Sequence, residues 1–157
     1  MKKPVTKEDA LIAMAGLCAR SEQCESDVYK KLRVKGLGHS EAMAVIDELK
    51  NRNFIDDFRY ARSFARDKVR FSAWGRMKIR AALAAKRITS SIISQAFEEI
   101  DPLDYSNALK RCASLKARTL NLDDYDDRMK LARHILSRGF ESALVNEEIR
   151  RLRQNDD

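Results

Sequence analysis

The sequence contains few of the residues that interrupt or cross-link a chain. Among its 157 residues are two prolines, five glycines and three cysteines. So little Pro and Gly excludes long low-complexity linkers, and Cys18, Cys24 and Cys112 are an odd number whose spacing matches no zinc pattern. We expect Cys18 and Cys112, which fall on apolar helical faces, to be buried thiols, because free cysteine is a commonly buried residue type.

Groups that could perform catalysis are also scarce. The two histidines, His39 and His134, have no acid or nucleophile recurring around them, whereas a catalytic triad needs a base oriented by a third group. Gly36 and Gly38 lack the spacing of a phosphate-binding loop, and the acidic run 123–127 lacks the Gly and Glu of a calcium loop. The sequence therefore predicts no catalytic residue, no metal, no cofactor and no enzyme activity.

Long apolar runs are absent. No stretch of about 18 apolar residues occurs, and none follows Met1-Lys2-Lys3-Pro4, so neither a membrane-spanning helix nor a secretory signal is predicted. Apolar residues make up 44% of the chain and charged residues 35%, a balance typical of a soluble folded protein. We therefore expect a cytoplasmic protein that does not contact a membrane.

What the sequence does contain is an internal repeat. Three similar segments begin at Leu32, Leu83 and Ile135, which lie 51 and then 52 positions apart. The segments are Leu32-Arg33-Val34-Lys35-Gly36-Leu37, Leu83-Ala84-Ala85-Lys86-Arg87-Ile88 and Ile135-Leu136-Ser137-Arg138-Gly139-Phe140. Each is followed by an apolar helical pattern, and these patterns end at Leu49, Ile100 and Ile149. A period near 50 residues predicts a tandem array of helical units.

The predicted fold class is all-α, with three three-helix repeats in an elongated or bowed array. We assign residues 1–56 to the first unit, 57–101 to the second and 102–157 to the third. A three-helix unit of about 50 residues buries too little surface to be stable alone. Neighbouring units should therefore pack on one another.

Local signals mark where the helices begin and end. Gly36 suits the left-handed turn that often ends a helix. The predicted helix starts are Ser40, Asp56 or Asp57, Thr89 or Ser90, and Pro102, since Ser, Thr and Asp cap free N–H groups and Pro fits a first turn. Within the helices, apolar residues recur at i, i+3, i+4 and i+7, as at Ala42, Val45, Ile46 and Leu49.

The positive charge is concentrated in the second unit. The formal net charge is +7, from 31 basic and 24 acidic residues. Positions 59–87 hold ten basic residues and one acid, Asp67, which leaves 21 basic and 23 acidic residues elsewhere. Solubility alone would not concentrate charge in this way, so the second unit is the candidate contact surface. Its candidate residues are Arg59, Arg62, Arg66, Arg70, Trp74, Arg76, Lys78, Arg80, Lys86 and Arg87.

Four of these arginines share one side of a helix. At 100° per residue, positions 59, 62, 66 and 70 fall within a sector of about 80°, which we term the arginine ridge. On the next helix Arg76 and Arg80 share a second sector, which also includes Arg87 if the helix extends so far. The ridge fits either nucleic-acid phosphate or an acidic protein groove, and the absence of Asn and Gln from 58–87 disfavours readout of base sequence. Trp74, in the connector, is either part of the core or an aromatic anchor beside the arginines.

Three motifs resemble those of the RecX family of bacterial regulatory proteins. They are Phe54-Ile55-Asp56-Asp57-Phe58-Arg59-Tyr60-Ala61, Trp74-Gly75-Arg76-Met77-Lys78-Ile79-Arg80 and Ser137-Arg138-Gly139-Phe140. The resemblance extends from about Glu8 to Leu152. One departure is that Arg87 stands where the repeated motif would place glycine, which adds charge to the second unit.

The resemblance implies a function without catalysis. Proteins of this family bind the RecA recombinase and its filaments on single-stranded DNA, and they limit strand exchange in recombination, DNA repair and the SOS response. The expected partners are therefore RecA and the RecA-DNA filament, with single-stranded DNA itself as a further candidate, and the expected state is a cytoplasmic monomer. The alternative hypothesis is a nucleic-acid-binding helical repeat that acts without RecA.

Overall fold

The computed structural model describes residues 5–155 and confirms the predicted all-α class. Within that range the chain forms nine α-helices and no β-strand. The helices are α1 (Lys7–Arg20), α2 (Glu25–Val34), α3 (His39–Asn51), α4 (Asp57–Ser72), α5 (Arg76–Ala85), α6 (Ser90–Glu98), α7 (Pro102–Ala117), α8 (Tyr125–Ser137) and α9 (Ser142–Asn155). We refer to α1–α3, α4–α6 and α7–α9 as units one, two and three. The expectation about Met1-Lys2-Lys3-Pro4 lies outside the described residues.

The repeat seen in the sequence corresponds to one turn that occurs three times. Gly36, Arg87 and Gly139 all have positive φ angles, of 99°, 61° and 98°. In each turn the next residue, which is Leu37, Ile88 or Phe140, is buried and donates its N–H to a carbonyl five residues back. This is the Schellman arrangement that ends an α-helix. Arg87 therefore adopts the same cap geometry as the glycines, although a side chain makes that conformation unfavourable.

Side-chain caps start α4 and α6 where the sequence predicts them, and α7 begins at the predicted proline. Asp56 accepts from the Arg59 N–H and Thr89 from the Ile92 N–H, and Pro102 is the first residue of α7. The prediction of Ser40 as a cap is wrong. Gly38 has an extended backbone, and its carbonyl accepts from the Ala42 N–H at 2.9 Å. Gly38 is therefore the cap residue, and α3 begins at His39, one residue before Ser40.

Two hydrophobic clusters form the interior. The cluster of unit one includes Leu32 and Ile46, both fully buried. The other cluster is shared by units two and three, where Leu83 of α5 belongs to the same core as Ile135 of α8 and Phe140. Units two and three therefore form one packed body to which unit one adjoins. Within residues 5–155, ion pairs and hydrogen bonds join unit one to unit two, as between Arg59 and Glu22, and unit two to unit three, as between Arg70 and Asp104.

The cysteine predictions are half right. Cys112 is buried as expected, whereas Cys18 is only half-buried because α1 packs mainly on α3. Cys24, for which we made no core prediction, is fully buried and belongs to the cluster of units two and three. Burial is also the largest cause that raises the pKa of the Cys24 thiol. A residue of unit one thus inserts into the core of its neighbour.

At one place the contact between units two and three consists of backbone-to-backbone hydrogen bonds. The N–H groups of Gly75 and Met77, at the start of α5, donate to the carbonyls of Arg138 and Gly139 at 2.8 and 2.9 Å. The N–H groups at the start of α5 therefore donate to the carbonyls at the end of α8, an arrangement in which the dipoles of the two helices align favourably. A Cβ at Gly75 would lie 2.3 Å from the Gly139 carbonyl carbon, so only glycine allows this approach. The Trp74 and Ser137 motifs, distant in sequence, are the two sides of this joint.

Candidate interaction surface

The arginine ridge lies along α4, with its guanidinium groups directed at neighbouring acids. Arg62, Arg66 and Arg70 are exposed and Arg59 is half-buried. Each has a carboxylate partner: the pairs are Arg59 with Glu22 at 2.7 Å, Arg62 with Glu99 at 3.4 Å, Arg66 with Asp67 at 3.5 Å, and Arg70 with Asp104 at 2.7 Å. Three of these acids are far away in sequence. Much of the ridge charge is therefore compensated within the fold, although its role in binding is still a prediction.

Arg59 connects units one and two. Its guanidinium pairs with Glu22 and also donates to the carbonyls of Asn53 and Phe54 at 3.0 and 3.3 Å. The second carboxylate oxygen of Glu22 is buried without a hydrogen-bond partner. Loss of Arg59 would therefore leave a partly buried carboxylate unpaired, which is costly. Its position makes Arg59 a structural tie.

Lys86 makes a second tie between these units. Its ammonium lies 2.7 Å from a carboxylate oxygen of Asp27, and its backbone carbonyl accepts from the Ser26 hydroxyl at 2.6 Å. Burial acts to raise the pKa of Asp27, but the hydrogen bonds from Lys86 and Cys24, together with the charges of Lys86 and Lys31, hold that pKa below its ordinary value. Nearby, the Asp57 carboxylate accepts from the Glu25 N–H at 2.9 Å. The contact between units one and two is thus largely polar around the inserted Cys24.

Arg76 belongs to the joint between units two and three. Its guanidinium carbon lies 3.9 Å from the centre of the Tyr105 ring, and Nη1 lies 3.1 Å from Glu141. The Tyr105 hydroxyl accepts from the Arg76 N–H at 3.1 Å and donates to Glu141 at 2.8 Å. Burial, and then the Glu141 carboxylate, raise the pKa of Tyr105 well above its ordinary value. These contacts compensate the charge of Arg76 within the fold.

Four cations of unit two have no acid partner within 4.0 Å in the described part of the chain. They are Lys68, Lys78, Arg80 and Arg87, and the first three lie over aromatic rings. The ammonium groups of Lys68 and Lys78 are 4.6 and 4.5 Å from the centre of the Trp74 ring, and the Arg80 guanidinium is 5.0 Å from that of Phe97. These uncompensated cations are the charges that an anionic partner would meet first.

Trp74 combines the two roles that the sequence left open. Its ring is half-buried and packs against the core of units two and three, with Phe64 in edge contact at 6.3 Å. The same ring is flanked by two ammonium groups, so part of it borders the charged surface. Contact between Trp74 and a partner is still a prediction.

Sequence reasoning left Lys68 out of the candidate set. Lys68 follows Phe64 by one helical turn, and its ammonium lies 5.5 Å from the Phe64 ring as well as over Trp74. The available signal was the absence of any acid at i±3 or i±4 on the same side of α4, which a ridge defined by arginines alone overlooks. Lys68, Trp74 and Lys78 therefore form one cation-aromatic cluster.

Among residues 5–155, no helix is both long enough and apolar enough to cross a membrane. In the same residues, no three His, Cys, Asp or Glu side chains lie together in a way that could hold a metal ion.

Comparison with known proteins supports one family throughout. Residues 56–96 match the family model for the second three-helix domain of RecX. The regulatory protein RecX of Vibrio campbellii is 31% identical over 124 residues, which cover 79% of each chain. That of Clostridium perfringens is 29% identical over 161 residues, covering 98% of this chain and 75% of the relative.

Solved structures share the fold. A crystal structure of RecX from Lactobacillus salivarius superposes with a TM-score of 0.82 at 21% identity, covering 94% of this chain and 97% of the other. A second crystal structure of the regulatory protein RecX gives a TM-score of 0.79 at 24% identity, covering 92% of this chain and 71% of the other. Since the sequence likeness also extends across most of the Vibrio relative, this chain belongs to the RecX family of regulatory proteins.

Proposed function

We propose that this protein binds the RecA recombinase and its filaments on single-stranded DNA and inhibits recombinase activity. It would thereby modulate recombination, DNA repair and the SOS response, as a cytoplasmic monomer without a cofactor and without catalysis of its own. Family membership supports the regulatory role. The RecA partner follows from the resemblance and is the part to be tested.

The observation that carries the proposal is the uncompensated charge of unit two. Lys68, Lys78, Arg80 and Arg87 lack acid partners among the described residues, and two of them flank Trp74. An interface between a cationic surface and an acidic groove gains association rate and orientation from such charges, while an aromatic side chain supplies buried area. The paired arginines of the ridge, at positions 59, 62, 66 and 70, would act as secondary contacts because an anionic partner must compete with their carboxylates.

The test compares variants of unit two with a control in unit one. Lys78→Gln combined with Arg80→Gln removes two charges that have no ion pair, so the fold should be retained. The control is Arg20→Gln combined with Lys30→Gln, which removes two exposed cations of unit one that also have no ion pair in the described range. We expect the first pair to weaken binding to RecA filaments and inhibition of RecA strand exchange at least fivefold, and the control to change neither. Equal behaviour of the two variants would contradict the assignment.

The second candidate function is direct binding of nucleic acid without RecA. The same cations favour it, since each neutralised phosphate of a single strand releases counterions and contributes about −0.7 to the slope of log affinity against log salt. Four to six contacts would give a slope of about −3 to −4. Binding in a protein groove combines few ion pairs with apolar contact, so its slope should be shallower. A salt series on RecA filaments and on bare single strands decides, because equal affinities with equal steep slopes would favour the DNA binder.

A further inference from the structure

We propose that the C-terminal end of α4, where units two and three meet, is a binding face for single-stranded nucleic acid. We term it the α4 end face and define it by Lys68, Phe71, Trp74, Lys78, Arg111 and Arg138. It deepens the proposed function by naming a ligand for the Trp74 side of unit two and by adding residues of unit three. The inference rests on that function only for its biological setting, since the face can be tested without RecA.

The first observation is an unpartnered aromatic side chain. Phe71, in the last turn of α4, is 79% exposed, whereas the other phenylalanines of the described chain are buried or half-buried. Trp74 lies three residues after Phe71, and the ammonium groups of Lys68 and Lys78 are 4.6 and 4.5 Å from the centre of its ring. An exposed ring that serves no core is a cost in solubility, and rings beside cations are the usual platform on which unpaired bases stack.

The second observation is a pair of arginines from unit three beside the same helix end. Arg111 donates to the carbonyl of Arg70 at 2.9 Å, and Arg138 donates to that of Ser72 at 2.6 Å. Phe71 stands between these two carbonyls in the chain. Neither Arg111 nor Arg138 has a carboxylate within 4.0 Å in the described range. Both arginines also lie near Cys112. Burial raises the pKa of the Cys112 thiol, and the charges of Arg138 and Arg111 oppose that rise only in part.

The acids near this face are already engaged. Asp67 pairs with Arg66, Asp104 with Arg70, and Glu141 with Arg76 and Tyr105. The potential over the face is therefore set by four cations, Lys68, Lys78, Arg111 and Arg138. Charge counts along the sequence hid the face because unit three also contains the acidic run 123–127.

The combination favours a single strand over other anions. Bases in a duplex are stacked inside and cannot reach Phe71, whereas bases of a single strand can stack on an exposed ring. Lysine and arginine supply contacts to phosphate, and each arginine has five N–H donors, of which the bond to the α4 carbonyl uses one. The competing explanation is that Arg111 and Arg138 only cap the carbonyl end of α4, where cations are favourable.

The test uses a fluorescein-labelled oligo-dT strand and the intact protein. Phe71→Ala removes an exposed ring, and Lys68→Gln with Lys78→Gln removes two charges without touching the two arginine caps. Ile12→Ala is the control for Phe71, because Ile12 is 72% exposed in unit one. Arg20→Gln with Lys30→Gln is the control for the lysines. Since Trp74 is the sole tryptophan, its fluorescence reports whether the strand reaches the face.

We expect the wild type to bind the strand with a change in Trp74 fluorescence. Phe71→Ala should weaken affinity at least fivefold, which corresponds to about 1 kcal/mol. The lysine pair should reduce the salt slope by about 1.4, two contacts of about 0.7 each. Neither control should change affinity or slope.

Several outcomes would overturn the inference. It fails if the wild type does not bind oligo-dT, or if both face variants bind it as the wild type does. It also fails if they lose RecA filaments but keep oligo-dT, which would make the face a protein contact. If the face variants lose oligo-dT but the wild type does not inhibit RecA, the inference stands and the proposed function fails.

Discussion

Gly36 and Gly139 provide a matched pair of substitutions that tests the joint between units two and three. They occupy the same position of the repeated turn, with φ of 99° and 98°. Their surroundings differ. A Cβ at Gly36 would meet no atom within 4 Å, whereas one at Gly139 would lie 2.5 Å from the Lys78 nitrogen and 2.9 Å from the Gly75 oxygen. Alanine therefore imposes the same backbone strain at both sites, but it causes a steric clash only at position 139.

The difference between the two variants can be estimated. Forcing an L-residue into the left-handed region costs about 1 to 2 kcal/mol, and alanine recovers about 0.4 to 1 kcal/mol by restricting the unfolded chain. Gly36→Ala should therefore lower the free energy of unfolding by about 1 kcal/mol. Gly139→Ala adds overpacking of about 1 to 3 kcal/mol and weakens the hydrogen bonds from Gly75 and Met77, for a total of about 3 to 5 kcal/mol.

Thermal unfolding and amide hydrogen exchange measure the two effects. In a protein of this size, 1 kcal/mol shifts Tm by about 2 to 4 °C, so we expect a loss of roughly 2 to 4 °C for Gly36→Ala and 6 to 20 °C for Gly139→Ala. Exchange should quicken at the Gly75 and Met77 amides in Gly139→Ala alone. A Gly139→Ala protein as stable as Gly36→Ala would refute the close backbone contact.

Three further outcomes follow from individual contacts. Arg87→Gly relieves a left-handed side chain and should raise the free energy of unfolding in urea by about 0.5 to 1 kcal/mol, and a lower value would show that the turn is unstrained. Burial raises the pKa of Asp27, but the hydrogen bonds from Lys86 and Cys24 lower that pKa by more. The ionised carboxylate therefore stabilises the fold above the unfolded pKa of about 3.9, and this contribution is lost as pH falls from there through the lower pKa of the folded state. Asp27→Asn should then reduce the acid-induced loss of Tm, and an unchanged pH profile would contradict the tie. Tyr105→Phe leaves the Arg76 N–H and Glu141 without their hydroxyl partner and should cost about 1 to 3 kcal/mol by urea unfolding, with a neutral effect as the contrary result.

The sequence alone determined the repeat, because its signals are local. A turn that ends a helix needs a left-handed residue followed by an apolar one, and this pattern recurs at Gly36 and Gly139 regardless of what surrounds it. Side-chain caps such as Asp56 and Thr89 act within three residues of their own position. The apolar period of α3 likewise predicted its buried face, since Ala42, Val45, Ile46 and Leu49 are all buried. The family resemblance rested on the same short segments.

Local signals did not predict the backbone conformation correctly where two conformations have similar free energies. Ser40 is a good cap, yet Gly38 closes the first turn of α3 earlier. Arg87 shows the opposite case, since the bonds and the buried Ile88 that hold the turn prevail over a residue with poor left-handed propensity. In both cases neighbouring contacts decided between conformations that differ by about 1 to 2 kcal/mol.

Only the tertiary structure decided which charges are free. The ridge arginines look alike in sequence, but folding brings Glu22, Glu99 and Asp104 to three of them from other segments. The same packing inserts Cys24 into a neighbouring core and leaves Phe71 exposed between the carbonyls that Arg111 and Arg138 cap. Ion-pair partners more than 30 residues apart cannot be recognised from the spacing of residues in a sequence, because their pairing depends on how one unit docks on the next.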